Sequence, residues 1–395
     1  MNAQPARAGR WELADIVRAH ADDRDGLSPG QRRVLHAIAQ CHTATLGGRR
    51  RQCAACGHED ISYNSCRNRH CPKCQGLEEA RWVEAQQGDL LPVQYFHIVF
   101  TVPTELHPLF LTAPPVAYRL LFTAAATTLE AAAGRRLGAK IGFTAVLHTW
   151  TQQLLYHPHI HCIVPGGGLD VEATRWVPTR RDFFLPVRVL SQVFRGKLLD
   201  LFARALDHGK FPGERDEAHR QQLKQAARTQ WVVYSKAPFA GAAQGLAYLG
   251  RYAYRIALSN DRLVDVQDGQ VTFRWKDRAH GNAPRLATLD APTLLRRFLL
   301  YVLPRRFVRI LQFGFLANPV RLQTLPRVRQ WLASPTVAIA STAPRAPERW
   351  DALLLRLTGK DVTQCPRCGV GPLLVVEALP ARLGPGQSPR RARSP

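Results

Sequence analysis

The stretch His157-Pro158-His159-Ile160-His161-Cys162-Ile163-Val164-Pro165, followed by Gly166, Gly167 and Gly168, decides how this chain is read. Successive side chains on a β-strand point to opposite faces, so His157, His159 and His161 share one face. Cys162 turns to the other face, where a thiol behaves as a small core residue. Pro158 is poorly tolerated inside a sheet, which puts the strand's start beside it and His157 at its entry. His159 and His161 are then the firm pair, two imidazoles about 7 Å apart along one strand and converging on a common point. Neutral imidazoles on a rigid strand are good ligands for a divalent ion. A strand of core histidines with satisfied hydrogen bonds is the plain alternative. Three alternating histidines before a glycine turn favour the metal.

Working outward, Val93 to Val102 reads as a buried strand and Pro114 to Arg136, rich in Ala and Leu, as a helix. Gly142 to Trp150 is a second strand, ending in His148-Thr149-Trp150. Strand, helix, strand, strand is the order of an α+β sheet covered on one face, not of a doubly wound parallel sheet. A charged helical region from Leu190 to Arg228 precedes a strand at Trp231 to Ser235. Gly241 to Tyr254 reads as a helix, on which Tyr248 and Tyr252 are four apart and share a face, flanked by Arg251 and Arg255. In isolation such a pair is more often a packing stripe. Beside a metal-binding pair it gains another meaning, because phenols become nucleophiles when deprotonated and suit attack on a phosphodiester whose oxygens a metal polarises. Leu263 to Trp275 is a hairpin turning at Asp268-Gly269, and Thr293 to Ala317 a basic helical stretch broken at Pro304.

Nine cysteines without a signal peptide argue for metal sites rather than disulfides. Cys53-Ala54-Ala55-Cys56 and Cys71-Pro72-Lys73-Cys74, with 14 residues between Cys56 and Cys71, have the spacing of one structural tetrathiolate zinc site. Cys41, Cys66, His58 and His70 are surplus potential ligands. Arg67, Arg69 and Lys73 decorate the knuckles and could touch phosphates. A further knuckle, Cys365-Pro366-Arg367-Cys368, is half a zinc ribbon, to be completed by another segment or left without a partner.

The chain has 395 residues, 46% of them apolar, and a formal net charge of +24. That length allows two or three domains, and that charge points to a polyanion. Only eight of the 54 basic residues are Lys, and Arg is the residue suited to bidentate phosphate contacts. The charge is spread along the chain rather than gathered on one amphipathic helix, which favours nucleic acid over a membrane surface. No run of 18 apolar residues exists, so no membrane span is expected, and the location expected is cytoplasmic, on the nucleoid.

His159-Ile160-His161 resembles the His-hydrophobic-His motif of HUH single-strand endonucleases. Tyr248 and Tyr252 resemble the paired tyrosines of two-tyrosine transposases. Ser65 to Gln75 resembles the zinc-binding head of bacterial insertion-sequence family 91 transposases, and His157 to Gly168 and Tyr248 to Asn260 are similar to that family too. The resemblance implies an α+β fold, with a ferredoxin-like antiparallel sheet carrying the histidines and helices on one face, plus a small N-terminal zinc-binding domain. It implies Tyr248 and Tyr252 as catalytic residues that cut and rejoin single-stranded DNA through a 5′-phosphotyrosine, in rolling-circle transposition. Mg²⁺ or Mn²⁺ would sit on His159 and His161, with a third ligand among His157, His148 and Gln152, in that order. Zn²⁺ would sit on Cys53, Cys56, Cys71 and Cys74. Arg67, Arg69, Arg251 and Arg255 would contact DNA, and a host helicase would separate strands, as no helicase motif is present.

The expected division is a helical lead-in over 1–35, a zinc-binding domain over 36–91, a catalytic domain over 92–330, and a linker, knuckle and disordered basic tail over 331–395. Two rivals remain. A zinc-stabilised DNA-binding regulator leaves the histidines and tyrosines unexplained. A metallohydrolase usually adds acidic ligands close by, yet none lies between Glu130 and Asp170.

Overall fold

The structure is a computed structural model and describes residues 11–20, 26–87, 89–180, 184–212, 216–239, 250, 256–277, 280–333, 348–359 and 361–382. In chain order its N-terminal elements are α1 (Leu13–His20), α2 (Pro29–Gln40), β1 (Gly48–Cys53), β2 (Glu59–Tyr63) and α3 (Gln75–Gln87). The middle of the chain forms β3 (Tyr95–Thr101), α4 (His107–Thr112), α5 (Pro114–Leu137), β4 (Gly142–Trp150), β5 (Tyr156–Pro165), β6 (Gly167–Leu169) and β7 (Trp176–Pro178). Then come α6 (Val187–Asp207), α7 (Asp216–Arg228), β8 (Val233–Phe239), β9 (Leu263–Gln267), β10 (Gln270–Asp277), β11 (Ala283–Asp290) and α8 (Ala291–Leu299). The last are β12 (Ile310–Gly314), α9 (Asn318–Leu332), α10 (Trp350–Thr358) and β13 (Leu373–Leu379).

The histidine stretch is the middle strand of a five-stranded antiparallel sheet ordered β12-β4-β5-β3-β8. Alternation sorts its residues cleanly between two faces. Phe96, Ile98 and Phe100 of β3, Phe143, Ala145 and Leu147 of β4, and Ile160, Cys162 and Val164 of β5 all enter one core with α5 and α6. The odd residues of β5 and their neighbours, Tyr95, Val146 and Ile163, meet Trp82 of α3 on the opposite face. Both faces are therefore apolar at one end of β5, and the histidines occupy the other end of the second face. The α+β reading holds, with antiparallel sheets.

Strand β12 differs from expectation. Ile310–Gly314, placed within a helical stretch by its basic composition, is edge strand β12. Leu311 and Phe313 pack against the α5–α6 core while Ile310 packs on the other face, a period of two that the surrounding arginines obscure. Gly314 ends it at φ +58, where a Cβ would lie 1.8 Å from the Ile141 carbonyl oxygen, so only glycine fits.

A second core joins the N-terminal helices to the hairpin sheet β11-β10-β9. Leu13, Ile16, Val34, Leu35 and Ile38 pack with Leu263, Phe273, Leu294 and Phe298. Ser28 starts α2 with a reciprocal capping box to Gln31, and the β9–β10 turn places Asp268 and Gly269 at positive φ, as a two-residue hairpin requires. The third sheet is ordered β13-β1-β2. The C-terminal strand thus lies against the N-terminal zinc module, where the sequence suggested only a linker, a lone knuckle and a tail.

Candidate metal centre and cysteine clusters

His148, His159 and His161 each bring a ring nitrogen into a set whose members all lie within 4.8 Å of one another. The register explains the meeting. His148 of β4 is the antiparallel partner of His159 of β5, and cross-strand neighbours approach more closely than residues two apart on one strand. His148 and His161 are each 3% exposed, whereas His159 is half-buried and opens the site to a ligand.

Two outward hydrogen bonds fix how the rings present themselves. The His159 Nδ1–H donates to the His157 carbonyl oxygen at 2.7 Å, which leaves Nε2 as the ligand atom. His161 Nδ1 lies 2.7 Å from Nε2 of His97, a buried residue of β3. With His161 Nε2 facing a metal, its Nδ1–H donates and His97 accepts. Outer partners of this kind fix ring orientation and tautomer at metal sites. His97 escaped the sequence reading because it sits alone in an apolar run, and only the β3–β5 pairing brings it beside His161. The donor set is three imidazoles with no carboxylate, and it fits a divalent ion that accepts nitrogen ligands.

Neither of the other two candidates for the third ligand joins that set, although the His157 ring centroid lies 5.2 Å from that of His159. The His157 ring stands edge-on to His107 with centroids 6.1 Å apart, and it lies outside the converging set. Gln152 accepts from the Lys276 backbone N–H at 2.9 Å and so ties down the hairpin sheet. Tyr156, beside these histidines in sequence, points to the opposite face and hydrogen-bonds Tyr118 through its hydroxyl at 2.9 Å. Burial pushes both phenols up, Tyr118 to about 12, so neither is a ready nucleophile. Tyr248, Tyr252, Arg251 and Arg255 lie outside the described residues. Gly250, between the tyrosines, is described: it is helical, buried, and set against Val83 of α3.

The cysteines group differently from the expected Cys53, Cys56, Cys71 and Cys74 set. Cys71 and Cys74 meet Cys41 and Cys66, and Cys53 and Cys56 meet Cys365 and Cys368. In the first cluster the Cys41–Cys74 and Cys66–Cys74 sulfur distances are 3.7 and 3.6 Å. Tetrahedral zinc with bonds near 2.3 Å separates its sulfurs by about 3.8 Å, so these positions suit the ion without rearrangement. The two knuckles that sequence spacing joined are each completed by cysteines that spacing could not link. His70 is not part of either cluster; burial near Arg69 and Arg309 pushes its imidazole down to about 3, keeping it neutral.

Of the two arginines beside the knuckles, Arg67 is exposed. Arg69 turns inward and donates to the carbonyls of Phe307 and Pro304 at 2.6 and 2.9 Å. That side chain braces the approach to β12. No helix among the described residues is long and apolar enough to cross a membrane.

Known proteins resemble the chain over both the cysteine-bearing and the histidine-bearing regions. Residues 14–102 match the family model described as "Transposase zinc-binding domain", and residues 142–323 match one described as "Putative transposase". The first range holds the whole Cys41–Cys74 cluster and the second holds all three converging histidines. The chain is 45% identical over 393 residues to "Putative transposase y4qJ" of Sinorhizobium fredii (strain NBRC 101917 / NGR234), covering 96% of this chain and 98% of that protein. It is 28% identical over 367 residues to the transposase for insertion sequence element IS801 of Pseudomonas savastanoi pv. phaseolicola, covering 89% of this chain and 85% of that one. No solved structure matches it. With identity spread over 96% of this chain and 98% of the Sinorhizobium relative, the resemblance is to a whole protein, and the chain belongs to the insertion-sequence 91 family of transposases.

Proposed function

We propose that this transposase cuts and rejoins single-stranded DNA by tyrosine transesterification, with His148, His159 and His161 as the ligands of its catalytic metal. The observation that carries the reading is the convergence of those three ring nitrogens within 4.8 Å at the open end of the sheet face. A bound divalent ion would polarise a phosphodiester oxygen and offset charge developing on phosphorus. Three nitrogen donors suit Mn²⁺ better than Mg²⁺, which prefers oxygen.

Tyr248 or Tyr252 supplies the nucleophile. Its phenol gives up a proton, its oxygen bonds to phosphorus, and the bond from phosphorus to the 3′-oxygen breaks. A 5′-phosphotyrosine and a free 3′-hydroxyl result, and bond energy is kept for rejoining without ATP. A second tyrosine allows a second transfer, as rolling-circle transposition needs. The ferredoxin-like description of the sheet belongs to this proposal, as do phosphate contacts by Arg67, Arg251 and Arg255 and strand separation by a host helicase.

The test is incubation of wild type, Tyr248→Phe, Tyr252→Phe and His161→Ala with labelled single-stranded oligonucleotides from the element ends and Mn²⁺. The expected result is label that migrates with protein on a denaturing gel, requires metal, and disappears in a tyrosine variant. Cleavage without an adduct would indicate a hydrolase. Binding without cleavage would indicate a DNA-binding regulator.

A further inference from the structure

We propose that Cys53, Cys56, Cys365 and Cys368 hold a structural zinc ion of their own, which clasps the C-terminal strand onto the N-terminal module. The matched zinc-binding range ends at residue 102, so half of this ligand set lies far outside it. The inference does not depend on the tyrosine chemistry.

The sulfur positions are those of a metal site. Cys53–Cys368 and Cys56–Cys365 sulfurs lie 3.6 and 3.7 Å apart, and all four fall within 4.8 Å of one another. Tetrahedral zinc asks for about 3.8 Å. A disulfide asks for about 2.05 Å and would gather two sulfurs, not four.

Each half is built as a thiolate knuckle, and the two halves match. Both read Cys-x-x-Cys-Gly, and in both the glycine takes positive φ, +70 at Gly57 and +68 at Gly369. The Gly57 N–H donates to the Cys53 carbonyl at 3.1 Å, and the Gly369 N–H to the Cys365 carbonyl at 2.9 Å. Backbone N–H groups are then aimed at sulfur. Those of Ala55 and Cys56 point at Cys53 Sγ at 3.4 and 3.5 Å, and that of Gly371 at Cys368 Sγ at 3.5 Å. Gly371 also admits the partner knuckle, because a Cβ there would lie 2.6 Å from Cys53 Sγ.

The knuckles sit at the ends of paired strands. Cys53 ends β1 and is registered with Leu373, the first residue of β13. Around the junction the Cys365 N–H donates to the Gly371 carbonyl, the Ala54 N–H to that of Pro372, and the Arg51 guanidinium to that of Val362 at 2.8 Å. β13 itself is mostly exposed, with Leu374 and Val375 each 54% exposed, so it has little buried apolar surface to hold it in place. The metal supplies what the strand's packing does not.

Zinc content of the purified full chain, measured by mass spectrometry, tests this. Two zinc ions per chain are expected, falling to one in Cys365→Ser/Cys368→Ser and in Gly371→Val. Amide exchange at residues 373–379 should rise at least tenfold in both variants, while exchange in β4 and β5 stays as in wild type. Cobalt(II) substitution gives a second measure, since each tetrathiolate site adds a sulfur-to-metal charge-transfer band and the variants should lose half its intensity. One zinc in wild type overturns the proposal, as does an unchanged zinc count in Cys365→Ser/Cys368→Ser. So does unchanged protection of β13.

Discussion

His97 Nε2 and His161 Nδ1 lie 2.7 Å apart between adjacent strands, and each residue is 3% exposed. With a metal on His161 Nε2, as proposed, the acceptor behind that ligand is an imidazole, where a carboxylate is common. His97→Leu should weaken Mn²⁺ binding 10- to 100-fold, in line with about that loss when such partners are removed. His97→Gln, which keeps an acceptor, should recover most of it. Calorimetric titration of each variant with Mn²⁺ checks both statements, and equal losses in the two would argue that packing alone is at stake.

His148 and His157 separate a ligand from a neighbour. His148→Ala should abolish measurable Mn²⁺ binding at the site, because it leaves two ligands on one strand. His157→Ala should stay within about threefold of wild type, as its ring is outside the converging set and only its backbone carbonyl orients His159. The reverse ranking would restore His157 as the third ligand.

Gly250 touches α3 where no side chain can follow. A Cβ there would lie 2.1 Å from Val83 Cγ2, and a helical valine has one strongly preferred rotamer and cannot swing aside. Gly250→Ala should cost about 1–3 kcal/mol of stability, the usual range for overpacking. The double variant Gly250→Ala/Val83→Ala should regain most of it. Denaturant melts of the four proteins in this cycle measure the coupling, and additive losses would show that the contact does not matter.

His107 should make the fold acid-sensitive. Burial first, and the neighbouring His157 second, push its imidazole down to about 4 from an ordinary value near 6.5. The unfolded chain therefore binds this proton more readily than the folded one. The stabilising contribution is complete above about pH 6.5 and is lost as pH falls toward 4. In His107→Phe the melting temperature should fall less steeply across that window than in wild type. Parallel slopes would refute the assignment.

Much of this is legible in the sequence. The alternation around His159 and His161 announces a two-faced strand, and the paired faces follow from it. Ser28-Pro29 and Asp268-Gly269 mark a helix start and a hairpin through local chemistry alone. What could not be read is pairing across long separations. Nothing near Cys53 says that its partner is Cys368, and the tidy spacing of Cys53, Cys56, Cys71 and Cys74 suggests a different answer. His148 is one of three possibilities in the sequence, and only the β4–β5 register brings it beside His159; His97 has no local signal at all. Arg69 shows the same gap for charge, since composition cannot tell an arginine facing solvent from one bonded to carbonyls of Pro304 and Phe307.

The joined knuckles also set a clock on biosynthesis. Cys365 follows Cys56 by 309 residues, so at 5–20 residues per second the N-terminal half waits on the order of 15–60 s for its counterpart. The Cys41–Cys74 cluster and the histidine-bearing strands can all assemble during that interval. A chain terminated early would carry those parts and still present β1 as an open edge, with Cys53 and Cys56 uncovered. On the zinc proposal, closure of that site would report that translation has passed the residues matched by the transposase model, 142–323.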